Sequence, residues 1–179
     1  MPERNKQMKR NGQELFPLLQ FFAVNRKLTY DLLEQLTEAD LQRQWPRPGL
    51  DTFSKHFQEM ASVQLAFISA MTTGATGVMD FSSVPDVFAF GQENDKEKLK
   101  HLLAMADQKL EAALNGEVNA VVRWDDIEIP VEGHLNNLVS HEVFHHGQMT
   151  LALYLLQLPI PDSWRFNWAL PPSLSNKTN

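Results

Sequence analysis

The chain has 179 residues, of which 43% are hydrophobic and 21% are charged, enough to build one compact domain with its own core. Its formal net charge is −6, and it shows no basic stripe beyond the first ten residues, which argues against a nucleic-acid partner. It has no cysteine. Disulfides, thiolate metal ligands and a cysteine nucleophile are therefore excluded, and we expect a cytoplasmic protein.

The N-terminus imitates a signal peptide, because basic residues precede the apolar run LFPLLQFFAV. Pro17 and Gln20 interrupt that run, so we interpret it as the start of a helix. No segment approaches the ~18–20 apolar residues of a membrane span. We therefore expect no membrane partner.

Apolar residues at three- and four-residue steps predict a first helix over about residues 12–36. Thr37 is the expected N-cap of a short helix that ends near Trp45. A second helix is predicted over about 52–73. His56 lies on the row beside the apolar stripe of that helix, so we expect it on or beside the buried face.

A third helix is predicted over about 95–115, with Asn94 and Glu97 as a capping box, and a fourth over about 132–157. The loop at 74–92 is long for a compact domain, which is typical of a functional lid or of a partly ordered segment. VVRWDDIEIPV alternates weakly and suggests a small hairpin, while the tail DSWRFNWALPP is expected to pack on the domain or on a partner. Four long helices predict an all-α, four-helix bundle formed by one domain over residues 1–179.

The stretch SHEVFHHGQM at 140–149 concentrates histidine. His141 and His145 are four residues apart, so they lie on one helix face, where they can hold a metal ion. The stretch also fits the H-E-x-x-H pattern of zinc peptidases, which need a further ligand downstream. The expected ligand is missing: no glutamate comes after Glu142, Leu151 stands where the longer motif has histidine, and the only later acid is Asp162. Glu142 itself is rotated ~100° off the metal face, and we predict that it points to a neighbouring helix or to solvent, in a salt bridge or hydrogen bond.

The missing ligand can come from an upstream helix, because facing helices of a bundle deliver side chains into one interior site. His56 with His141 and His145 would leave one open position, as in catalytic zinc sites. Gln148 is a candidate to hydrogen-bond a ligand or a bound water. We interpret Glu59, three residues after His56, as a solvated helix-face residue. For His101 and His134 we expect surface or hydrogen-bonded core positions.

RPGLDTFSKHFQEM, HEVFHHGQ and the Gly147-Gln148 pair within the latter resemble the DinB family, also called DinB/YfiT-like metalloenzymes, over about residues 10–157. The resemblance implies a bundle of up-down-down-up topology, a divalent metal such as zinc or nickel, and a homodimer. It also implies that His56, His141 and His145 are the metal ligands. The chain departs from the family at His146, where an arginine is common.

The leading hypothesis is a metal-dependent enzyme, a transferase or hydrolase, that acts on a small molecule by thiol transfer or hydrolysis, with a small thiol among the candidate partners. A non-catalytic metal-binding or stress-related interaction protein is the alternative, and a zinc peptidase is a third. The apolar tail with Trp164, Phe166 and Trp168 also favours a homodimer, unless the tail packs within its own chain.

Overall fold

The computed structural model describes residues 9–11, 15–73 and 77–171, and this part of the chain is mostly helical. Its helices are α1 (Phe16–Gln35), α2 (Glu38–Leu41), α3 (Phe53–Thr72), α4 (Lys96–Leu114), α5 (Val131–Leu155) and α6 (Asp162–Asn167). The four predicted long helices are confirmed to within a few residues. Residues 12–14 of the first predicted helix lie outside the described ranges.

Two antiparallel strand pairs accompany the helices, so the all-α prediction was wrong in this respect. Strands β3 (Val121–Trp124) and β4 (Ile127–Pro130) form the suggested hairpin. Strands β1 (Lys9–Asn11) and β2 (Glu117–Asn119) also pair. Each of these has three residues, too few for an alternating pattern to stand out in the sequence.

Helix termini follow capping chemistry, with one shift from the prediction. Thr37 caps α2 in a capping box with Asp40, but α2 ends at Leu41 rather than near Trp45. The N-cap of α4 is Asp95 and not Asn94: its carboxylate accepts hydrogen bonds from the backbone N–H groups of the next turn. Both residue types suit this position, so composition could not choose between neighbours.

The long helices pack so that α3 and α5 are in contact. Helix α3 contacts α4 and α5, and α1 also contacts α4 and α5. The buried core includes Phe53, Phe57 and Leu32, and the side chains of all three are 0% exposed. The facing surfaces of α3 and α5 bring the histidines of the two helices together. The up-down-down-up topology stays a prediction.

The C-terminal tail packs within its own chain. Trp164, on α6, is 0% exposed, and its indole N–H donates to the carbonyl of Leu28 at 2.7 Å. Phe166, two residues later, is 88% exposed. Intramolecular packing is therefore confirmed for Trp164. Within residues 15–73 and 77–171, no helix is long and apolar enough to cross a membrane.

Candidate metal centre

Two histidines of α5 form one side of the site. His141 and His145 are one helical turn apart, and their Nε2 atoms lie 3.2 Å from each other. The His145 side chain is 1% exposed and that of His141 is 23% exposed. The predicted pair therefore presents two imidazole nitrogens at one point, with His141 on the accessible side.

Glu59 of α3 reaches the same point from the facing helix. Its Oε2 atom lies 2.7 Å from His145 Nε2 and 3.2 Å from His141 Nε2. Its side chain is 13% exposed, so the interpretation as a solvated residue was wrong. The signal that could have found it is its position one turn after His56, on a helix face already predicted to lie beside the core.

These three residues form a group whose ligand atoms all lie within 4.8 Å of one another. Although Glu59 Oε2 is buried and close to both imidazoles, it accepts no hydrogen bond of suitable geometry from the described residues. Buried carboxylate oxygens normally have a donor or a cation. Two imidazole nitrogens and a carboxylate oxygen are a donor set that suits zinc or nickel, so the residues fit a divalent metal.

The electrostatics of the site favour the unprotonated forms that bind metals. Burial by itself raises the pKa of Glu59, but the close approach of His141 and His145 outweighs it and holds that pKa well below its usual range. Burial lowers the pKa of His145. Near neutral pH, Glu59 is therefore an anion and His145 a neutral imidazole, as metal ligation requires.

His56 lies beside the pair, but at the other edge of the His145 ring, so the three histidines do not meet at one point. The two rings are 5.0 Å apart between centroids, and the Nδ1 atoms are 2.7 Å apart. His56 Nε2 lies 3.2 Å from the carbonyl oxygen of Leu50. Burial lowers the pKa of His56 to about 2, helped by the nearby His145. The ring is therefore neutral, and its role as a metal ligand stays a prediction.

One assignment of protons would suit His145 as a ligand of a bound metal ion. If His56 Nε2–H donates to the Leu50 carbonyl, His56 Nδ1 accepts from His145 Nδ1–H, which leaves the lone pair of His145 Nε2 facing Glu59. Arg47 Nη1, 3.1 Å from His56 Nε2, can donate to the same carbonyl at 3.4 Å. Such a hydrogen bond to the far nitrogen fixes the orientation of a ligating histidine.

Glu142 lies away from the metal site, as predicted. Its carboxylate accepts a hydrogen bond from Thr29 and lies 3.4 Å from Arg26 Nη2, both on α1. Arg26 also lies 3.1 Å from Asp107 of α4 and donates to Gln64 of α3. No local sequence pattern indicates this buried network, because its members come from four helices that are distant in sequence.

The remaining candidate residues separate into core and surface positions. His134 is buried, and its Nε2 lies 3.0 Å from the Phe67 carbonyl oxygen, which confirms a core position. His146, turned away from the pair, lies 2.8 Å from Thr29 Oγ1. His101 is exposed. Gln148 Oε1 is buried and accepts no hydrogen bond from the described residues, so its proposed contact with a ligand or water stays a prediction.

A cavity of about 680 Å³ adjoins the site. Glu59 and His141 belong to its lining, and because Glu59 lies about two helical turns before Phe67 on α3, they lie at the end away from Phe67. The rest of the lining comes from α3, α5, β3 and the segment after α3, and consists of Val63, Phe67, Phe81, Val84, Trp124, Asn137, Ser140 and Phe144.

Comparison with known proteins identifies the family of the chain. No curated protein matches the sequence. The model of the DinB family matches residues 8–158, which is most of the chain and includes every residue of the candidate site. The chain therefore belongs to the DinB family.

Proposed function

We propose that this protein binds a divalent metal ion through His141, His145 and Glu59 and is an enzyme that acts on a small molecule in the adjoining cavity. The observation that carries the proposal is the access to the site: Glu59 and His141 line a cavity of about 680 Å³. Catalytic metal sites keep a position open to substrate, whereas structural sites are closed.

The chain's own residues prepare the site for this role. Glu59 supplies a negative charge that favours binding of a cation, and His56 orients the His145 ring through the Nδ1 contact. When bound, a divalent metal supplies Lewis acidity, which makes a water molecule or a thiol a better nucleophile near neutral pH. The cavity holds the substrate next to this point. Hydrolysis and thiol transfer are the reactions that fit.

The third ligand has two candidates. The family resemblance implies His56, whereas the atomic positions favour Glu59, whose carboxylate approaches the same Nε2 atoms on both histidines. We assign Glu59 as the third ligand and His56 as the residue that positions His145. Zinc and nickel both accept imidazole and carboxylate ligands, so either ion fits this set.

The alternative functions find less support. A non-catalytic metal-binding protein has no need of a cavity at its metal site. A zinc peptidase of the H-E-x-x-H type uses the glutamate as a general base beside the metal, but Glu142 lies against Arg26 and Thr29 on the other side of α5.

Three further expectations are part of the proposal: an up-down-down-up four-helix bundle, a cytoplasmic location and a homodimer. The exposed Phe166 supports the last of these, because exposed apolar side chains on a tail often belong to interfaces. Light scattering over a wide concentration range tests the dimer, and a monomer mass throughout would contradict it.

The proposal is tested first by elemental analysis of protein purified without a histidine tag, where we expect about one zinc or nickel per chain, as one site requires. The loaded protein is then screened with esters and with small thiols plus electrophiles, beside His145→Ala. Turnover that His145→Ala abolishes supports an enzyme. Bound metal without any such turnover would favour the non-catalytic alternative, and absence of metal would overturn the proposal.

A further inference from the structure

The cavity beside the metal centre has aromatic and branched apolar walls. Phe67 of α3, Phe81 of the segment after α3 and Trp124 of β3 form a ring cluster, with centroid distances of 6.4, 5.9 and 5.4 Å between pairs. Val63 and Val84 belong to the same lining. Such walls stabilise a bound molecule by removing its apolar surface from water.

The charges of the lining are confined to one end. Glu59 and His141 are its titratable residues, and neither lysine nor arginine occurs among the described residues that line the cavity. The other polar members, Asn137 and Ser140, are uncharged. A phosphate or carboxylate on the body of a ligand would therefore lose its hydration without gaining a counter-charge, which is costly.

We infer that this cavity binds uncharged small molecules that have an aromatic or branched apolar body and place their polar, reactive group at the Glu59–His141 end. The volume of about 680 Å³ lies within the usual range of small-molecule pockets, ~300–1,000 Å³. That these molecules are substrates rests on the proposed function. The preference of the cavity for uncharged over charged molecules depends on its walls alone and not on the proposed function. A thiol that carries several carboxylates fits the walls poorly.

The inference is tested with two fluorescent probes that differ by one charge, N-phenyl-1-naphthylamine and its sulfonated analogue 8-anilinonaphthalene-1-sulfonate. Both are titrated into the full-length protein as purified and again after loading with zinc. We expect the uncharged probe to bind at least about tenfold more tightly in both forms, because the sulfonate must be desolvated beside apolar walls.

Variants place the binding in this cavity. Phe81→Ala and Phe144→Ala remove lining side chains that are 38% and 64% exposed, so both should fold, and each should weaken binding of the uncharged probe by about fivefold or more. Phe88→Ala is the matched control: Phe88 lies in the same segment as Phe81, is 70% exposed and is not part of the lining. Asn137→Lys adds a cation to the wall and should shift the preference toward the sulfonated probe.

Equal binding of the two probes, or equal losses in Phe88→Ala and Phe81→Ala, would overturn the inference and leave the metal site untouched. Conversely, a protein that carries no metal but prefers the uncharged probe would contradict the proposed function and leave the cavity assignment standing. The two failures are therefore distinguishable in one set of samples.

Discussion

At the scale of single residues, Glu59 decides what kind of site this is. A pair of histidines one turn apart is common on helices, but a buried carboxylate oxygen 2.7 Å from one imidazole and 3.2 Å from the other changes the chemistry. The oxygen lacks a hydrogen-bond donor among the described residues. A bound cation would supply what this arrangement lacks, since it would attract all three atoms at once.

Replacing Glu59 by Gln keeps the size of the side chain and removes its charge. We expect Glu59→Gln to lower metal affinity by at least about tenfold, because that loss is seen even when a residue that only hydrogen-bonds a metal ligand is replaced. A competition titration with a chromophoric chelator measures it, and Glu117→Gln, at an exposed position, is the control. His56→Ala should lower affinity without abolishing binding. If His56→Ala abolishes binding while Glu59→Gln leaves it unchanged, His56 is the third ligand instead.

Glu142 distinguishes the proposed metalloenzyme from a zinc peptidase. Because its carboxylate contacts Arg26 and Thr29 and not the metal site, Glu142→Gln should keep full metal binding and most of any activity, while His141→Ala should lose both. The weakened buried contact with Arg26 should lower the free energy of unfolding by about 1–3 kcal/mol, measured by urea denaturation. A Glu142→Gln protein with intact metal but no turnover of a verified substrate would favour the H-E-x-x-H mechanism.

At the scale of elements, periodicity predicts most of the fold because every long helix buries one stripe of apolar residues. The same rule explains the limits. The predicted helix bounds differ from the observed ones by a few residues, and the N-cap of α4 is Asp95 rather than the predicted Asn94. The strands β1 and β2 are too short to show an alternating pattern in the sequence. Periodicity also showed that His56, His141 and His145 lie near the core. It could not show which helices face each other, so the approach of Glu59 to α5 was missed.

One side chain, Trp164, attaches the short helix α6 to the rest of the domain. Trp164 is 0% exposed and donates its indole N–H to the Leu28 carbonyl at 2.7 Å. Trp164→Ala should therefore lower the free energy of unfolding by about 3–5 kcal/mol, as truncations of large buried aromatics do. Phe166→Ala, at a position 88% exposed, should change it by less than about 0.5 kcal/mol. Urea denaturation of both variants tests this, and similar values for the two would show that α6 is not docked.

At the scale of the whole molecule, buried polar groups hold distant parts of the chain together. Thr29 and Glu142 are 113 residues apart in sequence and share a buried hydrogen bond. Arg26 links three other helices through Gln64, Asp107 and Glu142. No local pattern encodes such pairs, which is why the sequence predicts the elements and part of the site but not the polar contacts between helices.

Buried neutral histidines make the stability of the metal-free protein depend on pH. Burial lowers the pKa of four histidines: His56, His134, His145 and His146. For His146, the nearby Arg26 adds to the effect of burial, and the pKa falls to about 3. An unfolded histidine titrates near ~6.5. Below that pH the unfolded chain binds more protons than the folded one, so the free energy of unfolding should fall as pH decreases, by up to ~1.4 kcal/mol per pH unit for each histidine.

Urea denaturation between neutral pH and the acid range measures this slope. His146→Gln should reduce it by the share of one histidine, over the window from about 6.5 down to about 3. His101→Gln, at an exposed position, is the control and should leave the slope unchanged. A slope that is the same in wild type and His146→Gln would mean that His146 is not held neutral by burial.

The central claim is that a divalent metal binds where α3 meets α5, and one measurement tests it most directly. Zinc and nickel are titrated into wild type and His145→Ala, with circular dichroism recorded on the same samples. We expect wild type to bind about one equivalent, as a single site requires, and His145→Ala to bind none while keeping its helical spectrum, because the apolar core supplies the stability of a domain of this size. Equal metal binding by the two proteins would contradict the site, and global unfolding of His145→Ala would show that the site is structural.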